Sequence, residues 1–307
     1  FYSSSVEFTL ALGFVRSLRL NPVTMGRIPG SKNNAKKKKV YKKAHQTWCR
    51  PRDVDQVQDD LKKEQIEGKK MQFDADDYLM IPSVGPFFGT MMDQAKILRK
   101  YEFPTVMILP TRDMTTSIGI ANGIRRFVDF LGKPVVLYIK NEDFIETIEV
   151  KKLMEEGVLS FIKYALVRNN PIDDPFLKEL VQNLGSARIV SGMGEQPVRE
   201  HKKEFNLNSY TSGCVCIAPR LSMEMLQALQ KNDLDLVETI RKKFELLEGL
   251  RNAINPVRVL HAAIKLTKLA DTGPLQPMMS EISDSQAAKV AKAAMDLLKN
   301  EEKGSDS

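Results

Sequence analysis

From Tyr78 onward, short apolar runs alternate with longer stretches in which apolar positions recur every three or four residues, and Gly or Pro falls between them. The runs are LMIPSVG (79–85), TVMILP (105–110), PVVLYIK (134–140), LSFIKYALV (159–167), ARIVSGMG (187–194) and TSGCVCIAP (211–219). Successive runs start fewer than 30 residues apart, which is the spacing of a strand, a crossover helix and the next parallel strand. The intervening stretches predict helices over 89–101, 115–131, 143–157, 174–184 and 197–205. Beyond Pro219 the pattern is helical, over 221–232, 234–250, 256–269 and 284–300. Six consecutive βα units predict an α/β fold, namely an incomplete (β/α)8 TIM barrel of about six units with a C-terminal helical extension. A doubly wound sheet is the alternative. Gly192-Met193-Gly194-Glu195 ends the fifth run without a third glycine or a ribose-binding acid further on, so it does not read as a nucleotide site.

The segment before Tyr78 has another character. Residues 25–52 hold ten Lys or Arg and no acid, which leaves 36 bases against 39 acids elsewhere in a chain of net charge +7. The chain therefore reads as a slightly acidic body with a basic arm. Within residues 25–77 the arm is expected to be disordered, apart from one short helix after Asp53, where Val54, Val57 and Leu61 recur at near-helical spacing. Residues 1–24 place Arg16 and Arg19 after the apolar stretch, the reverse of a signal peptide, and Met25 reads as a plausible start. The expected organisation is a leader (1–24), the basic arm (25–77), barrel units (78–220), C-terminal helices (221–300) and a disordered tail (301–307). Six strands leave two sheet edges open, so the chain alone is expected to fold poorly, or to recruit its own N-terminal segment or another chain to cover the gap.

Composition narrows the classes. Of 307 residues 42% are hydrophobic and 28% charged, which excludes fibrous and wholly disordered proteins. Three cysteines argue against a disulfide scaffold and for a reducing, cytoplasmic compartment, with a nuclear one as the alternative if the arm is a targeting segment. The histidines are His45, His201 and His261, too few and too scattered for a zinc finger. No uncharged apolar run approaches the ~20 residues of a membrane span. Cys214 and Cys216 would share one strand face as small packing residues.

Two polar residues interrupt the apolar runs: Tyr138 in VVLYIK and, one strand later, Lys163 in SFIKYALV. Adjacent parallel strands lie about 4.8 Å apart, so side chains at matching heights come within reach of one another. Burial of an amine among apolar neighbours disfavours the ammonium and leaves free amine, which attacks a ketone to form a Schiff base. A neighbouring phenol can carry the protons of that reaction. The plainer reading stands beside this one: strand lysines snorkel past apolar neighbours, and strand tyrosines pack with a satisfied hydroxyl.

In order and spacing, PVVLYIK, LSFIKYALV, IVSGMGE, SYTSGCVCIAP, INPVR (254–258) and TGPLQPMM (272–279) resemble segments of the dihydrodipicolinate synthase / N-acetylneuraminate lyase superfamily of pyruvate-type class I aldolases. The resemblance spans about 78–300. It implies a lyase (aldolase, synthase or dehydratase) acting on a small 2-keto acid, with Lys163 as the Schiff-base nucleophile and Tyr138 as the proton shuttle. Neither a metal nor another cofactor is implied, and the family's usual tetramer, or a dimer, is. Ser191, Gly192, Gly194, Ser212 and Gly213 would hold the substrate carboxylate through their backbone amides. Glu195, next after the strand end, would face either the pocket or a solvated rim. The family's first two strands and the hydroxyl-rich loop after the second have no counterpart. No arginine follows Tyr138 closely, the sequence there being Lys140-Asn141-Glu142-Asp143, and Leu109-Pro110-Thr111-Arg112 lacks the tyrosine of the synthase relay. The acceptor is therefore not expected to be that of lysine biosynthesis.

Residues 25–77, through the stretch KKKKVYKKAHQTWCRPRDVDQVQDDLKKE (36–64), resemble the N-terminal arm of a ribosome-biogenesis C2H2 zinc-finger family, without its finger. Lysine clusters bind phosphate backbones by counterion release, and Tyr41 and Trp48 can stack on bases. An RNA- or ribosome-associated protein working through residues 32–52 is thus the second functional reading, and an inactive fusion or truncated fragment is the third.

Overall fold

The computed structural model describes residues 81–101, 103–111, 115–275 and 278–303. The expected leader (1–24), the basic arm (25–77) with its helix, and residues 304–307 lie outside the described residues. Five parallel strands form one sheet: β1 (Ser83–Val84), β2 (Met107–Ile108), β3 (Val135–Ile139), β4 (Leu159–Tyr164) and β5 (Ile189–Ser191). Their spatial order is their chain order, β1-β2-β3-β4-β5, each pairing in parallel with the next. A doubly wound sheet reverses direction at a switch point. The unbroken order is instead that of a partial barrel.

Helices fill the connections: α1 (Phe88–Leu98), α2 (Ser117–Leu131), α3 (Thr147–Glu155), α4 (Pro175–Leu184) and α5 (Val198–Phe205). Their starts follow from local chemistry. The Thr116 hydroxyl accepts from Gly119 N–H to cap α2, Asp174 accepts from Leu177 N–H to cap α4, and Pro175 occupies the first turn of α4. All five residues of β3 are buried, as expected for a parallel sheet covered on both faces. Leu137, Ile139, Ile162, Tyr164 and Ile189 point outward and pack with Ile124, Phe127, Leu153, Leu177 and Leu180 from the helices. Val136, Tyr138, Phe161, Ala165 and Val190 form a separate inner cluster with Ile81 and Met107.

One irregularity decides which residues face inward on β4. Val135 pairs with Leu159, but Val136 pairs with Phe161, so Ser160 is an extra residue in the ladder. Its hydroxyl donates to Val135 O at 3.0 Å, which anchors the bulge. The bulge flips the alternation beyond it and turns Phe161, Lys163 and Ala165 inward.

The sixth run differs from expectation. An isolated parallel bridge to Ser191 forms at Tyr210, just ahead of the run, and within the run residues Cys214–Cys216 turn into a 3-10 helix. The cause is turn chemistry: the Ser212 hydroxyl accepts from Val215 N–H at 2.9 Å and curls the chain where a strand would have continued. Cys214 and Cys216 therefore do not share a strand face.

The C-terminal helices α6 (Pro219–Gln230), α7 (Leu234–Ile254), α8 (Pro256–Leu266) and α9 (Asp284–Glu302) build a second apolar core around Leu221, Met225, Ile240, Phe244, Val259 and Val290. α9 runs two residues beyond 300, where the tail was expected to start. Its end is tied to α6: the Glu301 carboxylate accepts from Arg220 N–H (2.6 Å) and Leu221 N–H (2.9 Å). In return the Arg220 guanidinium donates to the carbonyls of Asn300 (3.0 Å) and Glu301 (2.7 Å). No helix among the described residues is long and apolar enough to cross a membrane.

Candidate active site

Tyr138 and Lys163 are register partners on β3 and β4. Lys163 Nζ stands 4.3 Å from the centroid of the Tyr138 ring. Both are buried, with 4% and 3% of their surface exposed respectively, and the inner cluster around Tyr138 is apolar: Val136, Phe161, Ala165 and Val190. The amine thus lies on the inner face of the sheet, against the aromatic ring one strand earlier. Lys140, the next inner position on that strand side, is exposed, with Nζ 5.9 Å from the same ring centroid.

Gly192, on the neighbouring chain segment, makes room for this lysine. A Cβ there would lie 3.0 Å from Lys163 Cγ, 3.1 Å from Ala165 Cβ and 2.8 Å from Tyr164 O. Gly192 N–H donates to Tyr164 O at 2.6 Å, and Ser191 N–H donates to Ser209 O at 3.1 Å, so both amides are committed to the sheet. The Ser191 hydroxyl turns the other way and pairs with His201 Nδ1 of α5 at 2.9 Å. Burial pushes the His201 imidazole down to about 4, although Asp174 pulls in the opposite direction.

On the helix side of β4, the Tyr164 hydroxyl donates to Asp174, and Arg168 bridges Asp174 (2.9 Å) and Glu142. Burial raises the Asp174 carboxyl, but Arg168 and Tyr164 outweigh it and hold the group below its ordinary value. This network fixes the end of the strand that carries Lys163.

The remaining expected positions, Gly194, Ser212 and Gly213, meet side chains of α7. Gly194 has φ +84°, and a Cβ there would fall 2.4 Å from Glu248 Oε2. At Gly213 a Cβ would fall 2.2 Å from Arg251 Nη1. The Ser212 hydroxyl donates to Glu195 Oε1, and Arg251 Nη1 lies 3.2 Å from Glu248 Oε1. Glu195 is fully buried, so it does not sit on a solvated rim. Burial first, and Glu248 second, push its carboxyl well above the ordinary glutamate value. Burial likewise raises the Cys216 thiol to about 12. Oxygen and sulfur donors of Glu195, Cys214 and Glu248 come within 4.8 Å of one another, and the Arg251 guanidinium already stands against them.

Glu248 and Arg251 are residues that sequence reasoning missed. Their signal was present: Val237, Ile240, Phe244 and Leu247 mark the buried stripe of α7, and Glu248 and Arg251 continue it at helical spacing.

No protein-family model matches the chain, and no curated protein matches it either. Solved structures do. A dihydrodipicolinate synthase from Bacillus clausii aligns at TM-score 0.63 and 22% identity over 76% of this chain and 76% of that one. The same enzyme from Oceanobacillus iheyensis aligns at 0.62 and 20% identity over 80% and 77%. A sialic acid aldolase from Ruminococcus gnavus aligns at 0.65 and 13% identity over 83% of each. The chain has the α/β fold of these synthases and aldolases, as the resemblance implied.

Proposed function

We propose that this chain is a lyase that acts on a small 2-keto acid through a Schiff base on Lys163, with Tyr138 as the acid/base residue. The observation that carries this reading is the juxtaposition of a buried amine and a buried aromatic ring on the inner face of a partial barrel, Nζ 4.3 Å from the ring centroid. Lys163 attacks the keto carbon, the carbinolamine loses water, and the resulting protonated imine accepts the electron pair of a bond to the substrate's third carbon, C3–H or C3–C4, as that bond breaks and the enamine forms. Tyr138 hands over the protons of addition and dehydration.

Barrel sites open at the C-terminal ends of the strands. Lys140 stands at that end of β3, exposed and close to the ring, so it supplies the positive charge that draws in the carboxylate. The amides of Gly194, Ser212 and Gly213 complete the proposed cradle, whereas those of Ser191 and Gly192 serve the sheet. Borohydride reduction in the presence of pyruvate, followed by peptide mass analysis, tests the reading. The expected result is a reduced adduct on the peptide carrying Lys163. The absence of an adduct with pyruvate and with longer 2-keto acids would defeat it.

A further inference from the structure

The Glu195–Glu248 pair is a second buried polar group, separate from the Lys163 amine. Neither residue exposes any surface. Counted as two ionised carboxylates, each leaves its Oε2 without a donor; with a proton between them they become hydrogen-bond partners. The charges agree. Among the described residues the two carboxylates meet one guanidinium, that of Arg251, so full ionisation would leave one uncompensated negative charge in the interior. The other titratable groups facing the pair are Tyr210, Cys214 and Cys216, and burial pushes all three upward, so all stay neutral.

The donors identify which acid is charged. Arg251 and the Cys214 thiol (3.4 Å) both turn to Glu248 Oε1, whereas Glu195 receives only the neutral Ser212 hydroxyl. We infer that Glu195 and Glu248 hold one proton between them, resident on Glu195, and that it clamps the loop after β5 and the Ser212–Cys216 turn onto α7. Gly192, which abuts the Lys163 stem, belongs to that loop, so the clamp positions the wall beside the amine. Glu195 is thus a positioning residue. A divalent cation would answer the same charge, but it would have to enter beside the Arg251 guanidinium.

The sign of the effect is fixed. A carboxyl that keeps its proton in the folded chain and loses it in the unfolded chain makes folding weaken as pH rises above the ordinary glutamate range, by up to about tenfold in the folding equilibrium constant per pH unit. Only the catalytic consequence rests on the proposed Lys163 chemistry; the proton itself is read from stability.

The test follows thermal unfolding of the full chain between pH 5 and pH 9, together with infrared spectra in the carboxyl region at pH 7. The wild-type chain should lose stability with rising pH and show a protonated-carboxyl stretch. Glu195→Gln, which mimics the protonated acid, should remove that stretch, flatten the pH dependence and be at least as stable as wild type at pH 8. Glu248→Gln strips Arg251 of its partner and should be destabilised at every pH. Lys163→Met should keep the wild-type pH dependence, which separates this inference from the fate of the catalytic reading. A wild-type pH slope in Glu195→Gln, no protonated-carboxyl band, or a stoichiometric divalent ion whose removal by EDTA lowers the unfolding temperature would each overturn it.

Discussion

Lys163 Nζ and the Tyr138 ring meet on the inner face of the sheet because Ser160 adds one residue to β4. Were Ser160 paired with Val136 in a regular ladder, Ile162 would stand opposite Tyr138 and Lys163 would point at the helices. The bulge is therefore the local feature on which the proposed chemistry depends.

Lys163→Met is expected to abolish borohydride trapping while leaving the unfolding temperature unchanged or higher, since an apolar side chain replaces an amine in an apolar cluster. Tyr138→Phe should still trap, but slowly, with kcat reduced by about 10²–10⁴-fold. Trapping rates and steady-state kinetics on the two variants check both expectations.

Gly192→Ala brings a methyl group to 2.8 Å from a carbonyl oxygen and 3.0 Å from the Lys163 stem. The backbone oxygen cannot move without disturbing the sheet, so the variant should lose about 1–3 kcal/mol of stability and form the adduct more slowly. Denaturant unfolding alongside trapping kinetics measures both effects, and unchanged values in both would show that the wall beside the amine is slack.

His201 gives a stability loss on the acid side. Its imidazole is held at about 4 by burial, so the folded chain binds fewer protons there than the unfolded chain between roughly pH 6.5 and pH 4. Stability attributable to this residue is fully present above that window and drains away as pH falls through it. His201→Gln should flatten this part of the profile, as read by urea midpoints at pH 4.5 and pH 7.

Lys140→Gln should raise KM for an anionic keto acid by about fivefold, in line with loss of one exposed ion pair, and leave kcat unchanged. High salt should produce the same shift in the wild-type chain and little in the variant.

Much of this was legible in the sequence. Strands buried on both faces write themselves as continuous apolar runs, which is why five of the six runs hold a strand and why Tyr138 and Lys163 stand out as intrusions. The sixth run misled because Ser212 and Gly213 carry turn information inside an apolar string, and side-chain capping of Val215 overrode the apolar signal. The inward aim of Lys163 was not legible, since nothing in LSFIK marks Ser160 as the extra residue. Nor was the burial of Glu195, which depends on Glu248 and Arg251 arriving from a helix distant in sequence.

The tie between Glu301 and Arg220 joins residues 81 positions apart. α6, which begins at Pro219, follows immediately on the turn that holds Cys214 and Cys216. Loss of the Glu301 carboxylate would thus untether the first turn of α6 while every residue of the second core stayed in place. A single carboxylate near the end of one helix thus governs how firmly the start of another is seated against the turn before it.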